Sequence, residues 1–313
     1  MVEPDNERDV QVKRALVVGG GSIGLRHSNV LRSLELEVAH VSRRSDLGLQ
    51  TFINTEEALR HSAFDYVVVA NETSKHEPTL SELQGFQGKI LVEKPLSVSE
   101  ELIRRFSPDQ IQVAFNLRFH PGLLWLKREL LDQTVLSVEC YVGQDLASWR
   151  PDRPVSEQYS AHKSQLGGVL RDLSHELDYL VWLFGDWERV AALGGRIADV
   201  TVDSDDSWAV VSQFSRAKQV SLQMNYHDKQ SRRLLIVNTL SDTFTLDLVN
   251  FTATAGKSSL KLDGSGADTY VEMHKAMLWG QSGSLCSAEE AIETDKLIAS
   301  IEKASEDRVW ISK

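Results

Sequence analysis
Six residues, Gly19-Gly20-Gly21-Ser22-Ile23-Gly24, constrain the fold more than any other feature of this 313-residue chain. They follow a short apolar run at 15–18 and open a segment in which Ile23, His27, Val30, Leu31 and Leu34 recur at helical spacing. The glycines therefore join a strand to a helix. Each glycine of the G-x-G-x-x-G spacing has a physical reason. Gly19 permits a tight turn, Gly21 lets backbone approach a pyrophosphate, and Gly24 lets the helix lie close on the strand. The helix N-terminus adds free N–H groups and the positive end of a dipole. In this strand–turn–helix context the motif predicts a dinucleotide-binding βαβ unit, with Gly19, Gly21, Ser22, Ile23 and Gly24 against the cofactor.

The remaining pattern extends that unit. Strands are expected at 37–41, 65–70, 89–92 and 112–115, alternating with helical segments around 55–60 and 77–85. This is the rhythm of a parallel, doubly wound sheet. From about residue 121 the rhythm changes. A helix over 122–131, a half-exposed strand over 135–142 and one long amphipathic helix over 170–184 are expected, then strand-like runs at 207–214, 219–226, 233–237 and 244–249, and a final helix over 288–305. The short connections among those runs predict a largely antiparallel sheet. The fold class is accordingly α/β. A Rossmann domain is expected over 13–120, and an α+β domain with a large, mostly antiparallel, open-faced sheet over 121–313. A charged leader without periodicity, residues 1–12, is expected to be disordered. The sheet's open face predicts pairing with further copies of the chain, as a homodimer or homotetramer.

At the end of the second strand, where NAD enzymes place Asp or Glu for the ribose hydroxyls, the chain has Ser42-Arg43-Arg44. One hydroxyl and two guanidinium groups suit a 2′-phosphate, so NADP(H) is the preferred cofactor and NAD(H) the second choice. A net charge of −11 argues against nucleic acid. The two cysteines, Cys140 and Cys286, are too far apart for a C-x-x-C site, so neither a bound metal nor a disulfide framework is expected. No apolar run approaches the ~20 residues of a membrane helix. With no signal-like N-terminus, the expectation is a cytoplasmic protein with no membrane partner.

Glu93-Lys94-Pro95 directly follows the strand at 89–92. With the glycine turn, this motif resembles the Gfo/Idh/MocA family of oxidoreductases. Further matching pieces are His76, the run Asn116-Leu117-Arg118-Phe119-His120-Pro121, Gly167-Gly168, Asp172-Leu173-Ser174-His175 with Asp178, and the run 286–291. The resemblance spans residues 14 to 313 and implies a dehydrogenase or reductase acting on a secondary alcohol or ketone of a sugar, including amino and nucleotide-linked sugars. It further implies that Lys94, Asp172 and His175 act on the substrate, and that Asn71, His76, Glu93 and Lys94 border the cofactor. The residue types fit. A base takes the hydroxyl proton as hydride leaves, and a cation stabilises the developing negative oxygen. Asn116, Arg118, Trp149 and Tyr159, with Arg150, are candidates for the substrate pocket. The competing reading of Arg118 and His120 is that they fix the domain junction. Two other function classes share the fold: a glycosidase using a tightly bound dinucleotide for transient oxidation, and a non-enzymatic dinucleotide or sugar sensor. The joint presence of Lys94, Pro95, Asp172 and His175 favours the oxidoreductase over the sensor.

Overall fold
The computed structural model describes residues 14–44, 46–149, 151–280 and 283–313. The expected leader and Arg150 lie outside the described residues. The first half of the chain runs β1 (Arg14–Val18), α1 (Ser22–Ser33), β2 (Glu37–Val41), β3 (Gln50–Phe52), α2 (Thr55–His61), β4 (Tyr66–Val69), α3 (His76–Glu82), β5 (Lys89–Val92), α4 (Glu100–Ile103) and β6 (Ile111–Val113). These six strands form one parallel sheet in the order β6-β5-β4-β1-β2-β3. Every residue of β4 is buried, as a central parallel strand covered on both faces requires.

The second half begins with α5 (Pro121–Glu129), β7 (Val135–Gly143), α6 (Leu146–Trp149), α7 (Val169–Asp172) and α8 (His175–Phe184). It continues through β8 (Trp187–Gly195), β9 (Ser207–Phe214), β10 (Ala217–Asn225), β11 (Arg232–Thr239), β12 (Thr243–Asp247), β13 (Thr252–Ala255) and β14 (Ser258–Lys261). The chain closes with α9 (Gly266–Trp279), β15 (Cys286–Ser287), α10 (Ala288–Asp307) and β16 (Ile311–Ser312). The second sheet has the order β14-β13-β12-β11-β7-β10-β9-β8-β16. Its neighbours are antiparallel except for the parallel pair β7–β10. Trp208, Val210 and Phe214 of β9 and Val220, Leu222 and Met224 of β10 point into one core with α8 and α10. The alternate positions are exposed or partly exposed, Val211 the most apolar of the exposed ones, and Leu193 of the neighbouring β8 is exposed as well. The fold class read from the sequence is the one observed.

Two departures from the expected elements bear on the site. The helix expected over 170–184 is interrupted at Leu173–Ser174, between α7 and α8. And α9 and β15, absent from the sequence reading, return to the first sheet. β15 pairs antiparallel with β6, while Met273, Ala276, Met277 and Leu278 of α9 share a core with Ala15, Val17, Leu31 and Val68.

Candidate active site
The glycine loop is shaped by close contacts. Gly19 has φ +122°, and a Cβ there would lie 2.4 Å from the Ala70 carbonyl oxygen. A Cβ on Gly24 would lie 2.1 Å from the Gly19 carbonyl oxygen, so helix and turn approach as only glycine allows. Around Gly21 a Cβ would meet nothing within 4 Å. That open space lies over the first turn of α1, whose leading N–H groups have no helical partner. Asn71, after β4, donates from Nδ2 to Thr79 Oγ1 at 2.8 Å and keeps a buried, unpartnered Oδ1. His76 Nδ1 faces the carbonyls of Pro95 and Leu96 at 3.1 and 3.2 Å. Carbonyls only accept, so Nδ1 carries the proton and the buried, unpartnered Nε2 is left as a bare acceptor. Burial holds this imidazole below its usual pKa.

Beside the loop, Ser42 Oγ accepts the Arg44 backbone N–H at 3.0 Å. The Arg44 guanidinium forks onto Asp46 at 3.0 and 2.8 Å and donates to the Gly20 carbonyl at 3.1 Å. Arg43 is exposed.

At the end of β5 the first sheet meets the second domain. Glu93 accepts the Lys94 backbone N–H on Oε2 at 3.1 Å and meets His27 Nε2 with Oε1 at 2.9 Å. Burial pushes the Glu93 carboxyl up, but His27 and the Lys94 charge outweigh it and hold the group below its usual range. Lys94 Nζ donates to the backbone carbonyl of Asp172 at 2.6 Å. The helix interruption makes that bond possible. Glu176 N–H turns to the Leu173 carbonyl at 3.3 Å, which leaves the Asp172 carbonyl open to the lysine.

The Asp172 carboxylate is held by two phenols. Tyr159 donates to Oδ1 at 2.9 Å and Tyr226 to Oδ2 at 2.6 Å. The Trp149 ring stands edge-on to Tyr226 at 5.5 Å, with its Nε1 buried and unpartnered. His175, at the start of α8, is partly exposed and packs edge-on against Phe115 at 5.7 Å. Burial, with the charges of Lys94 and Arg233, holds its pKa well below 6.5, and its Nδ1 has no partner. Lys94 and the tyrosine-clamped Asp172 are thus joined by one bond, with His175 three residues beyond Asp172 at the start of α8.

Two expected pocket residues lie elsewhere. The Arg118 side chain is 1% exposed, and its guanidinium is committed to Asp178 at 2.7–3.1 Å, Glu290 at 2.9 Å and the Leu285 carbonyl at 3.2 Å. These bonds lock α8 to the start of α10. Asn116 is buried and donates to Thr269 Oγ1 at 2.6 Å. His120 accepts the Gly122 N–H on Nδ1 at 3.0 Å, faces the Leu248 carbonyl with Nε2 at 3.1 Å, and is pushed down to about 4 by burial. It caps α5.

Residues 134–241 match the family model described as the GFO/IDH/MocA C-terminal domain. Over this segment the chain resembles the Gfo/Idh/MocA family. An inositol 2-dehydrogenase of Corynebacterium glutamicum is 28% identical over 191 residues, covering 55% of this chain and 54% of that protein. The chain spans about half the length of the curated relatives it matches. Among solved structures, GenD2 from gentamicin A biosynthesis, in complex with NAD, superposes with TM-score 0.79 at 19% identity, covering 100% of this chain and 99% of that one. The WlbA dehydrogenase of Bordetella pertussis, in complex with NADH and UDP-GlcNAcA, gives 0.80 at 14% identity over 97% and 98%. Tyr226, Arg233 and His27, which contact Asp172, Glu176 and Glu93, were not singled out by the sequence. Tyr226 stood out only as the end of an alternating run. Arg233 pairs with the fully buried Glu176 at 2.7 Å, and nothing in its local sequence announces that.

Proposed function
We propose that the chain is a nicotinamide-dinucleotide-dependent oxidoreductase of a secondary alcohol or ketone on a sugar, with NADP(H) preferred and NAD(H) accepted. The observation that supports the reading is the 2.6 Å bond from Lys94 Nζ to the Asp172 carbonyl, which joins the end of β5 to the α7–α8 break beside which His175 begins α8. In open α/β sheets, ligands bind at the carboxyl ends of the strands, where Lys94 stands. The glycine loop fits a dinucleotide. The space beside Gly21 would take the pyrophosphate, and the buried, unpartnered Asn71 Oδ1 and His76 Nε2 lie after the neighbouring strand β4 and would meet its polar groups. When bound, the nicotinamide supplies hydride chemistry at the substrate carbon.

The chain's own residues supply the rest. His175, neutral at pH 7, takes the hydroxyl proton in the oxidative direction. Lys94 sets its positive charge beside the oxygen as negative charge develops. Asp172, held by Tyr159 and Tyr226, orients substrate hydroxyls, and the Trp149 Nε1 donates to the sugar. Ser42 and the exposed Arg43, with Arg44 bracing the loop through Gly20, favour a 2′-phosphate. The cellular setting proposed is the cytoplasm, in keeping with two buried free thiols. The partner is a small carbohydrate, and the assembly a homodimer or homotetramer.

The test is a panel of polyols, sugars and nucleotide-linked sugars with each dinucleotide, followed by absorbance at 340 nm. Lys94→Met should still bind dinucleotide but lose turnover by about 10²-fold or more, the scale of one electrostatic stabiliser. Full activity in that variant would overturn the mechanism.

A further inference from the structure
Beside Lys94 lies a line of four buried side chains that take no part in the proposed proton transfer. Tyr66 OH lies 3.0 Å from His274 Nδ1, His274 Nε2 lies 2.8 Å from His27 Nδ1, and His27 Nε2 lies 2.9 Å from Glu93 Oε1. Tyr66, His274 and His27 are fully buried, and they come from β4, α9 and α1. We propose that they are positioning residues. They form a one-way line of hydrogen bonds that fixes the Glu93 carboxylate and, through it, the backbone of Lys94. The effect on turnover rests on the functional reading above; the line of bonds does not.

The direction follows from counting donors and acceptors. A carboxylate only accepts, so with Oε2 taken by the Lys94 N–H, Oε1 must receive the proton of His27 Nε2. A neutral imidazole protonated on Nε2 has a bare Nδ1, which takes the Nε2–H of His274. His274 Nδ1 is then bare in turn and takes the Tyr66 hydroxyl proton. Each polar atom in the line is used once, with no water required. A doubly protonated His27 would run the line the other way, through Nδ1–H of His274 toward the phenol. Burial holds His274 neutral and the Tyr66 phenol protonated, which both directions require; the first alone needs no charge on His27. The other titratable and charged groups facing the line are Lys94 and His76 near Glu93, and Tyr270, whose ring stands edge-on to His27 at 5.6 Å with Arg26 over it.

The need for such a line is electrostatic. Without His27, Glu93 would be a buried carboxylate whose one remaining partner is a backbone N–H. It would take up a proton and release its grip on Lys94. A reactive group displaced by about 1 Å can lose roughly a hundredfold in rate, so a fixed anchor under the lysine matters.

The experiment has two arms. Nitrogen-15 NMR of the full chain at pH 7, with His27 and His274 assigned from His27→Gln and His274→Gln, should find both imidazoles neutral and protonated on Nε2. An Nδ1-protonated His274 or a doubly protonated His27 would overturn the proposal. In the kinetic arm, His274→Phe keeps the ring volume and removes both bonds. It should lower kcat by roughly tenfold to a hundredfold with dinucleotide affinity within about threefold. His274→Gln, which can accept from Tyr66 and donate to His27, should recover most of that loss. Unchanged kcat in His274→Phe would overturn the positioning role. If wild-type protein turns over no substrate while both histidines carry their protons on Nε2, the functional reading fails and the line of bonds stands.

Discussion

Replacing Asp178 by Asn should cost far more stability than replacing Glu290 by Gln, although both carboxylates bind the same arginine. The side chains of Arg118 and Asp178 are 1% and 2% exposed, with three N–O contacts of 2.7–3.1 Å. The amide of Asp178→Asn would keep the shape and one acceptor oxygen but remove the charge, and its NH2 would face the Arg118 donors, leaving Glu290 as the guanidinium's one anionic partner. Removing one partner of a buried pair costs about 3–5 kcal/mol. Glu290 is 44% exposed, where water already screens the pair, so Glu290→Gln should cost at most about 1 kcal/mol. It also keeps the capping box of α10, since Gln serves that position. The assay is urea unfolding followed by circular dichroism. With a slope of about 3 kcal/mol/M, Asp178→Asn should lower the midpoint by about 1–1.7 M, and Glu290→Gln by no more than about 0.3 M. Equal midpoints for the two variants would refute the reasoning, because burial and three contacts against one are what separate the two ion pairs.

Three further outcomes are expected. His120 is held at about 4, below its unfolded value near 6.5, so its neutral form stabilises the fold above pH 6.5, and that contribution drains away as pH falls toward 4. Urea midpoints should therefore drop between pH 7 and pH 5, and drop less in His120→Gln, by about 2 kcal/mol at pH 5; parallel curves would count against this. Arg43→Ala should weaken NADPH binding about tenfold or more while NADH binding barely changes, read by calorimetry. Equal affinity of the wild type for both cofactors would sink the preference. Val211→Glu or Leu193→Glu, on the exposed face of the second sheet, should reduce the assembled mass seen by light scattering; a wild-type monomer would remove the assembly proposal.

What the sequence made legible was local. The glycine spacing carried its own steric logic, and the clashes at Gly19 and Gly24 are the contacts that spacing requires. The alternation in β9 and β10 likewise carried the orientation of the second sheet, because a strand's two faces are written in every second residue. What escaped depends on pairing between distant residues. Nothing near Leu173 announces a helix break; the lysine that uses the freed Asp172 carbonyl is 78 residues away. His27 and His274 are separated by 247 residues, and neither has a local signal. The helix α9 did offer one: the Ser265 N–H donates to the Asp268 carboxylate three residues on, a capping pattern readable in the sequence. Arg118 shows the converse, a cation whose residue type suggested a ligand contact and whose burial made it a clamp.

The return of α9 and β15 to the first sheet has a consequence for how the protein is made. A ribosome finishes β6 well before it reaches residue 266, and until then the nascent sheet exposes the bare edge of β6 and an apolar patch around Ala15, Val17 and Leu31. An unpaired strand edge of this kind invites pairing with other chains. The first sheet thus waits for the segment from residue 266 onward before it is closed, and its vulnerable interval grows with every pause in elongation.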